Sequence, residues 1–154
     1  MESHLERIWN NAIHRTFIEG LDSMQSTALL ELLLIAAGAD DSVTPEEQTQ
    51  IRRALADLPA FQPAARDLAD GTAAENVDHF VEAYASAPDA MLDSIVAMLR
   101  DDATRRHAFR TTVQFLQADG FAPGEEIFVR TLGRRFQIEP EIVEFAVADA
   151  RSIH

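Results

Sequence analysis

The fold of this chain is organised around Ala118-Asp119-Gly120-Phe121-Ala122-Pro123-Gly124-Glu125-Glu126. A similar stretch, Ala39-Asp40-Asp41-Ser42-Val43-Thr44-Pro45-Glu46-Glu47, occurs 79 residues earlier (118 minus 39). The alanine, the first aspartate and both glutamates coincide at this offset. Each stretch follows an apolar run and precedes another, so each predicts a helix–loop–helix unit with acidic residues at both ends of the loop.

The length of 154 residues fits one domain with a single core. The repeat therefore predicts two halves that share this core, the first over about 1–72 and the second over about 86–154. We expect the single domain to cover 1–154 and the halves to be related by a pseudo-twofold axis. The segment around 74–86 is the hardest to pair with a counterpart.

Apolar residues recur at intervals of three and four along most of the chain, and no run alternates convincingly with period two. This pattern predicts an all-α, single-domain helical bundle of about 7–9 helices. The first helix is expected to end near Gly20 and a short one near Leu68. The run from Ser26 to Ala39 is apolar on almost every side, so we expect a central, buried helix there.

Helix starts are marked by capping residues and prolines. Thr44, Pro45 and Glu47 have the spacing of a capping box with proline at the first helical position. Pro88 is expected to begin a later helix, and Asp101 or Asp102 to cap the one after it. A proline-marked turn is expected at 137–140.

The net charge is -13, and all 13 basic residues are arginines. Nucleic acid is excluded as a partner, because binding it requires a basic surface that neutralises phosphates. Anionic membrane surfaces are disfavoured for the same reason. Cations or basic proteins are the natural partners of such a surface, and a protein partner or a homo-oligomer is plausible.

Cysteine is absent, which excludes disulfides and cysteine metal sites. The first residues lack the basic and then apolar layout of a signal peptide. The longest apolar stretch, Leu29 to Ala39, contains Glu31 and is shorter than the roughly 20 residues that span a bilayer. We therefore expect a cytoplasmic protein that does not insert into membranes.

The two loops contain seven carboxylates that are candidate metal ligands: Asp40, Asp41, Glu46, Glu47, Asp119, Glu125 and Glu126. Carboxylate oxygens are the ligands that Ca²⁺ and Mg²⁺ prefer, so either ion is a better candidate than Zn²⁺. The spacing differs from that of an EF-hand, whose bidentate glutamate follows the first aspartate by eleven positions.

A second interpretation gives the same acids a structural role. The four glutamates fall in the first turn of a helix, where each carboxylate stabilises the helix dipole by about 0.3–1 kcal/mol. Asp40 and Asp119 can accept hydrogen bonds within a tight turn. Both interpretations remain open at this point.

Catalytic motifs are missing from the sequence. None of the five histidines follows a glutamate by three residues, and there is no Gly-rich phosphate loop or Gly-x-Ser-x-Gly. We therefore expect a protein that is not an enzyme. The arginines at 130, 134 and 135 fit the C-terminal part of a helix, and those at 105, 106 and 110 fit a solvated face.

The paired loops, together with the segment Leu132 to Glu141 after the second one, resemble the TerB-like (tellurite-resistance protein B) helical domain. The resemblance covers about 26–150. It implies a pseudo-symmetric helical bundle whose acidic loops bind metal, here through Asp40, Glu46 and Glu47 and through Asp119, Glu125 and Glu126. The chain departs from the family at Asp41, where glycine is usual, and at Gly124.

The resemblance implies a non-enzymatic accessory protein that acts in tellurite resistance or another stress response and that binds a divalent cation. Tellurite is an oxyanion, and a surface of net charge -13 repels it, so any role in resistance is expected to be indirect. The alternative function is a helical protein-interaction module whose acidic loops only cap helices.

Overall fold

A computed structural model of the chain describes residues 20–39, 44–57, 73–117 and 123–152. Within these ranges the protein contains helices and no strand, which confirms the predicted all-α class. The expected helices that end near Gly20 and Leu68 lie outside the described residues. The helices are α1 (Ser23–Ala37), α2 (Pro45–Asp57), α3 (Ala73–Ser86), α4 (Pro88–Leu99), α5 (Asp102–Gln117), α6 (Pro123–Arg135) and α7 (Pro140–Ser152).

Helix α1 is the centre of the bundle. Every residue from Ala28 to Ala37 is buried, including Glu31. The helix contacts α2, α3, α4 and α5, and its most extensive packing is on α4. The predicted central helix is therefore confirmed, because a helix without a polar face must be surrounded.

The start of α1 lies three residues before the predicted one, because Asp22 caps the helix. Its Oδ1 accepts a hydrogen bond from the Gln25 backbone N–H at 2.8 Å, and Gln25 Oε1 accepts one from the Asp22 N–H at 3.3 Å. These two bonds form a capping box. The side chains also fix α1 to the end of α4, since Gln25 donates to the Leu99 carbonyl and Asp22 pairs with Arg100.

The connection from α4 to α5 is a tight γ-turn. Arg100 has φ 66° and ψ -55°, and the Asp101 N–H donates to the Leu99 carbonyl at 2.8 Å. Asp101 then caps α5, since its Oδ1 accepts from the Thr104 N–H at 2.8 Å. Of the two predicted caps, Asp101 is the one that forms this bond.

Helices α5, α6 and α7 pack on one another through their apolar faces, and α5 contacts α1. The buried residues of these three helices and of the turn that follows α6 include Phe109, Val113, Leu116, Leu132, Phe136, Val143 and Val147. Helices α6 and α7 approach closely at Gly133, where an added Cβ would lie 2.5 Å from Val143 Cγ2. Glycine at this position permits the close contact.

The predicted turn at 137–140 forms by a Schellman motif at the end of α6. The Ile138 N–H donates to the Gly133 carbonyl at 2.9 Å, and the Gln137 N–H donates to the Arg134 carbonyl at 3.2 Å. Gln137 has φ 57°, a left-handed conformation that usually favours glycine. Ile138 is buried and holds the turn against the core.

Replacing Gln137 with glycine should stabilise the protein, because glycine adopts the left-handed conformation without the steric cost of a Cβ. We expect a gain of about 1 kcal/mol, seen as a rise of about 2–4 °C in the melting temperature. Gln137→Ala is the matched control, since it shortens the side chain but keeps the Cβ. Equal stabilisation by alanine would show that the left-handed backbone is not the cause.

Replacing Gly133 with alanine should destabilise the protein by about 1–3 kcal/mol, because the new methyl group overlaps Val143. The test is urea unfolding of Gly133→Ala, Val143→Ala and the double variant. The cost of the Gly133 substitution should fall by at least about 0.5 kcal/mol when Val143 is already alanine. Additive losses would contradict the proposed contact.

Candidate functional site

The predicted metal ligands divide into two groups. Asp40, Asp41 and Asp119 lie outside the described residues. The other four belong to the first turns of two helices, Glu46 and Glu47 in α2 and Glu125 and Glu126 in α6. Their surroundings differ between the two helices.

The first turn of α2 is held by the predicted Thr44 cap. Thr44 Oγ1 accepts a hydrogen bond from the Glu47 N–H at 3.1 Å and donates one to Glu47 Oε1 at 3.3 Å. Glu46 and Glu47 are both exposed. Thr44 therefore caps the helix, as the sequence predicts, and the Glu47 carboxylate accepts a hydrogen bond from the capping hydroxyl.

The first turn of α6 is more enclosed. Glu125 is only 3% exposed, and the Glu126 side chain is 17% exposed. Glu126 pairs with Arg130 one turn later, and Arg130 also pairs with Glu144 of α7 at 3.0 Å. Hydrogen bonds to Glu144 and Glu126 raise the pKa of Arg130. The Glu126 carboxylate thus contributes to the contact between α6 and α7.

The two glutamate pairs occupy different helical positions. Helix α2 begins at Pro45, so Glu46 is its second residue, whereas α6 begins at Pro123 and Glu125 is its third residue. Glu125 is the counterpart of Glu46 at the offset of 79 (125 minus 46). Glu46 is exposed while Glu125 is buried, so the two helix starts differ in the packing around them.

A cavity of about 350 Å³ lies between the ends of the two acidic loops. Its wall includes Ala39, the residue before Asp40, and Gly124, the residue before Glu125. The rest of the described wall is mostly apolar and consists of Ile35, Gly38, Arg52, Tyr84, Leu92, Ile127, Phe128 and Thr131. The residues that flank both loops therefore line one cavity.

Arg52 provides the charged group in this wall. Its Nε donates to the Leu34 carbonyl at 2.9 Å, and its guanidinium packs against Gly38 at the end of α1. The arginine thus satisfies a carbonyl in the last turn of α1 and places positive charge at the negative end of its dipole. Burial lowers the pKa of Arg52. No carboxylate of the described residues pairs with it.

Arg52 is a residue that the sequence does not single out. It belongs to no motif, and its role depends on the packing of α2 against α1, which no local pattern reveals. Gly38 is the one sequence signal for this contact. A residue with a Cβ at position 38 would collide with the Arg52 guanidinium, so the close packing at the end of α1 requires glycine.

Glu31 is a second buried ionisable group, in the middle of α1. It is 8% exposed, and no hydrogen bond or ion pair joins it to another described residue. Desolvation raises the pKa of Glu31 from 4.5 to about 7. The sequence shows Glu31 only as an interruption of an apolar run.

The described residues offer no ready metal centre, since no three histidine, aspartate or glutamate side chains among them are grouped to hold an ion. Within the same ranges, no helix has the length and apolarity to cross a bilayer. Comparison with known protein families, curated proteins and solved structures found no match to this chain.

The raised pKa of Glu31 predicts a pH-dependent stability. Below about pH 4.5 the group is protonated in both states and contributes nothing. Between about 4.5 and 7 only the folded state keeps the proton, so the contribution of Glu31 to stability falls as pH rises, by about 3 kcal/mol in all. Above about 7 the loss is constant.

Urea unfolding of the wild type and Glu31→Gln between pH 4.5 and 8 tests this prediction. Glutamine has the same shape and no charge, so its stability relative to the wild type should increase up to about pH 7 and then level off. A difference that does not vary with pH would contradict the buried, desolvated state of Glu31.

Proposed function

We propose that this protein is a non-enzymatic, TerB-like accessory protein that binds a divalent cation between its two acidic loops. The observation that carries the proposal is the shared cavity, whose wall includes Ala39 beside the first loop and Gly124 beside the second. Two loops that each have a residue in the wall of one cavity can combine their carboxylates around one ion.

The helix boundaries support the arrangement in two halves. Helix α1 shifted by 79 residues would cover 102–116, and α5 extends from Asp102 to Gln117. In the same way α2 would cover 124–136, and α6 extends from Pro123 to Arg135. Arg52 and Thr131 also differ by 79, and both line the cavity. We therefore place the pseudo-twofold axis near this cavity.

The contacts reduce the number of candidate ligands. Glu47 is hydrogen-bonded to Thr44, and Glu126 pairs with Arg130. We therefore propose that these two glutamates stabilise the helices and are not metal ligands. Glu46 is exposed and Glu125 is buried. Glu125 also takes part in an interaction within the protein, so we propose Asp40, Asp41 and Asp119 as the main ligands, with Glu46 and Glu125 as the glutamates that complete the set. The positive charge of Arg52 keeps the ion at the loops and outside the cavity.

The biological role that fits these features is in a cytoplasmic stress response such as tellurite resistance. The net charge of -13 opposes direct capture of an oxyanion such as tellurite. The protein would therefore act through its cation or through a protein partner. Oxygen ligands favour Ca²⁺ or Mg²⁺ over Zn²⁺.

A second candidate function is an interaction module that binds no metal. Two observations favour it: the structural roles of Glu47 and Glu126, and an apolar groove between α5 and α7. Phe145 is 73% exposed and Ile142 45% exposed in this groove, above the buried residues Phe109 and Val113. Exposed apolar side chains grouped in this way are typical of contact surfaces.

Titration with Ca²⁺, Mg²⁺, Mn²⁺ and Zn²⁺ separates the two functions. If one ion binds at the loops, a hundredfold excess over its dissociation constant should stabilise the protein by about 2.7 kcal/mol. This corresponds to a rise of about 5–10 °C in melting temperature. Calorimetry should give a stoichiometry near one.

The ligand assignment is tested by Asp119→Asn and Glu125→Gln, which should abolish the shift. Glu141→Gln is the matched control, because Glu141 is an exposed acid in the first turn of α7 and its loss changes the net charge equally. Weaker ion binding in all three variants, the Glu141 control included, would indicate that the ion is attracted by the overall negative charge and not bound by these ligands. Absence of a shift with every ion would leave the interaction module as the function.

A further inference from the structure

The cavity beside the loops has the features of a small-molecule site. Its volume of about 350 Å³ lies within the range of roughly 300–1,000 Å³ that is common for ligand pockets. Apolar side chains from three helices line it, Ile35 of α1, Leu92 of α4, and Ile127 and Phe128 of α6. Such pockets hold a ligand by apolar contact and orient it with a few polar groups.

Arg52 is the polar group that defines the ligand class. Its Nε bond to the Leu34 carbonyl leaves the two terminal nitrogens, and none of the described residues supplies a carboxylate to them. Among the described residues this partly buried guanidinium therefore has no anion beside it, and its planar fork matches the two oxygens of a carboxylate. The bond to Leu34 and the packing on Gly38 hold the fork in place.

A hydroxyl group in the same wall fits this class of ligand. Tyr84 is part of this wall, and its phenol is protonated at neutral pH because burial raises a pKa that is ordinarily about 10. The Thr131 hydroxyl is already engaged, since it donates to the Ile127 carbonyl at 2.9 Å. Arg52 is therefore the charged donor that the described wall offers to a ligand.

We propose that this cavity binds a small apolar carboxylic acid, with the carboxylate on the Arg52 guanidinium and the hydrocarbon part against Ile35, Leu92 and Phe128. The net charge of -13 opposes capture at a distance, so local contacts hold the ligand. The ligand would lie in the cavity itself, next to the cation that is proposed at the loops. Measurements in the presence of EDTA test it independently of that proposal.

Calorimetry and thermal melting of the full chain with hexanoate and 3-phenylpropionate provide the test. Hexanamide and 3-phenylpropanol are the matched neutral probes. The carboxylates should bind saturably and raise the melting temperature, while the neutral probes should bind at least about tenfold more weakly, because a hydrogen bond to a charged group contributes about 1.5–3 kcal/mol. Equal binding of acid and neutral probe, or no binding at millimolar concentration, would overturn the proposal.

Variants of Arg52 assign the contact. Arg52→Gln should weaken hexanoate binding by at least about tenfold, whereas Arg53→Gln, an equal charge change at the exposed neighbour, should change it by less than about twofold. Ile127→Asp is the second variant. Ile127 is 66% exposed at the edge of the cavity, so an acid there should repel the carboxylate without disturbing the core. Unchanged affinity in Ile127→Asp, or equal losses in the two arginine variants, would overturn the assignment.

Discussion

The structure depends on the burial of α1. Ten consecutive residues from Ala28 to Ala37 are removed from water, so this helix cannot lie on a surface as an amphipathic helix does. It must be enclosed, and α2, α3, α4 and α5 all contact it. The hydrophobic effect that drives this burial also determines where polar groups can be placed.

The ends of a buried helix need partners for their free N–H and C=O groups. At the start of α1, Asp22 and Gln25 supply the partners and also contact the end of α4. Near its end, Arg52 of α2 donates to the Leu34 carbonyl. The position of Arg52 in the cavity wall is therefore a consequence of enclosing α1.

The arginines of the described helices mainly join one helix to another. Arg130 pairs with Glu144 of α7, and Arg135 pairs with Asp89 and Asp93 of α4. Each exposed pair contributes only about 0–1 kcal/mol, so their value lies more in fixing the relative orientation of helices. The sequence interpretation of these arginines as helix-end charges is correct in position for Arg135, whereas Arg130 lies before the last turn of α6, and it omits their partners on other helices.

The features that could be predicted from the sequence are those that local spacing determines. The central helix, the start at Pro88 and the Thr44 cap all follow from patterns within one or two turns. The Asp22-x-x-Gln25 spacing is also a capping signal, but the apolar run begins later and suggests a start at Ser26. Local patterns are most reliable where no tertiary contact competes with them.

The candidate site could be predicted only in part, because its chemistry depends on packing. The sequence assigns one role to Glu46 and Glu125, yet the packing around the two helix starts leaves the first exposed and the second buried. Arg52 has no motif, since its contact with Leu34 joins residues 18 positions apart. The positive charge of Arg52 lies in the same cavity wall as Ala39 and Gly124, which belong to the two acidic stretches. The site therefore brings together charges of opposite sign, and a repeat of acidic residues does not suggest this arrangement.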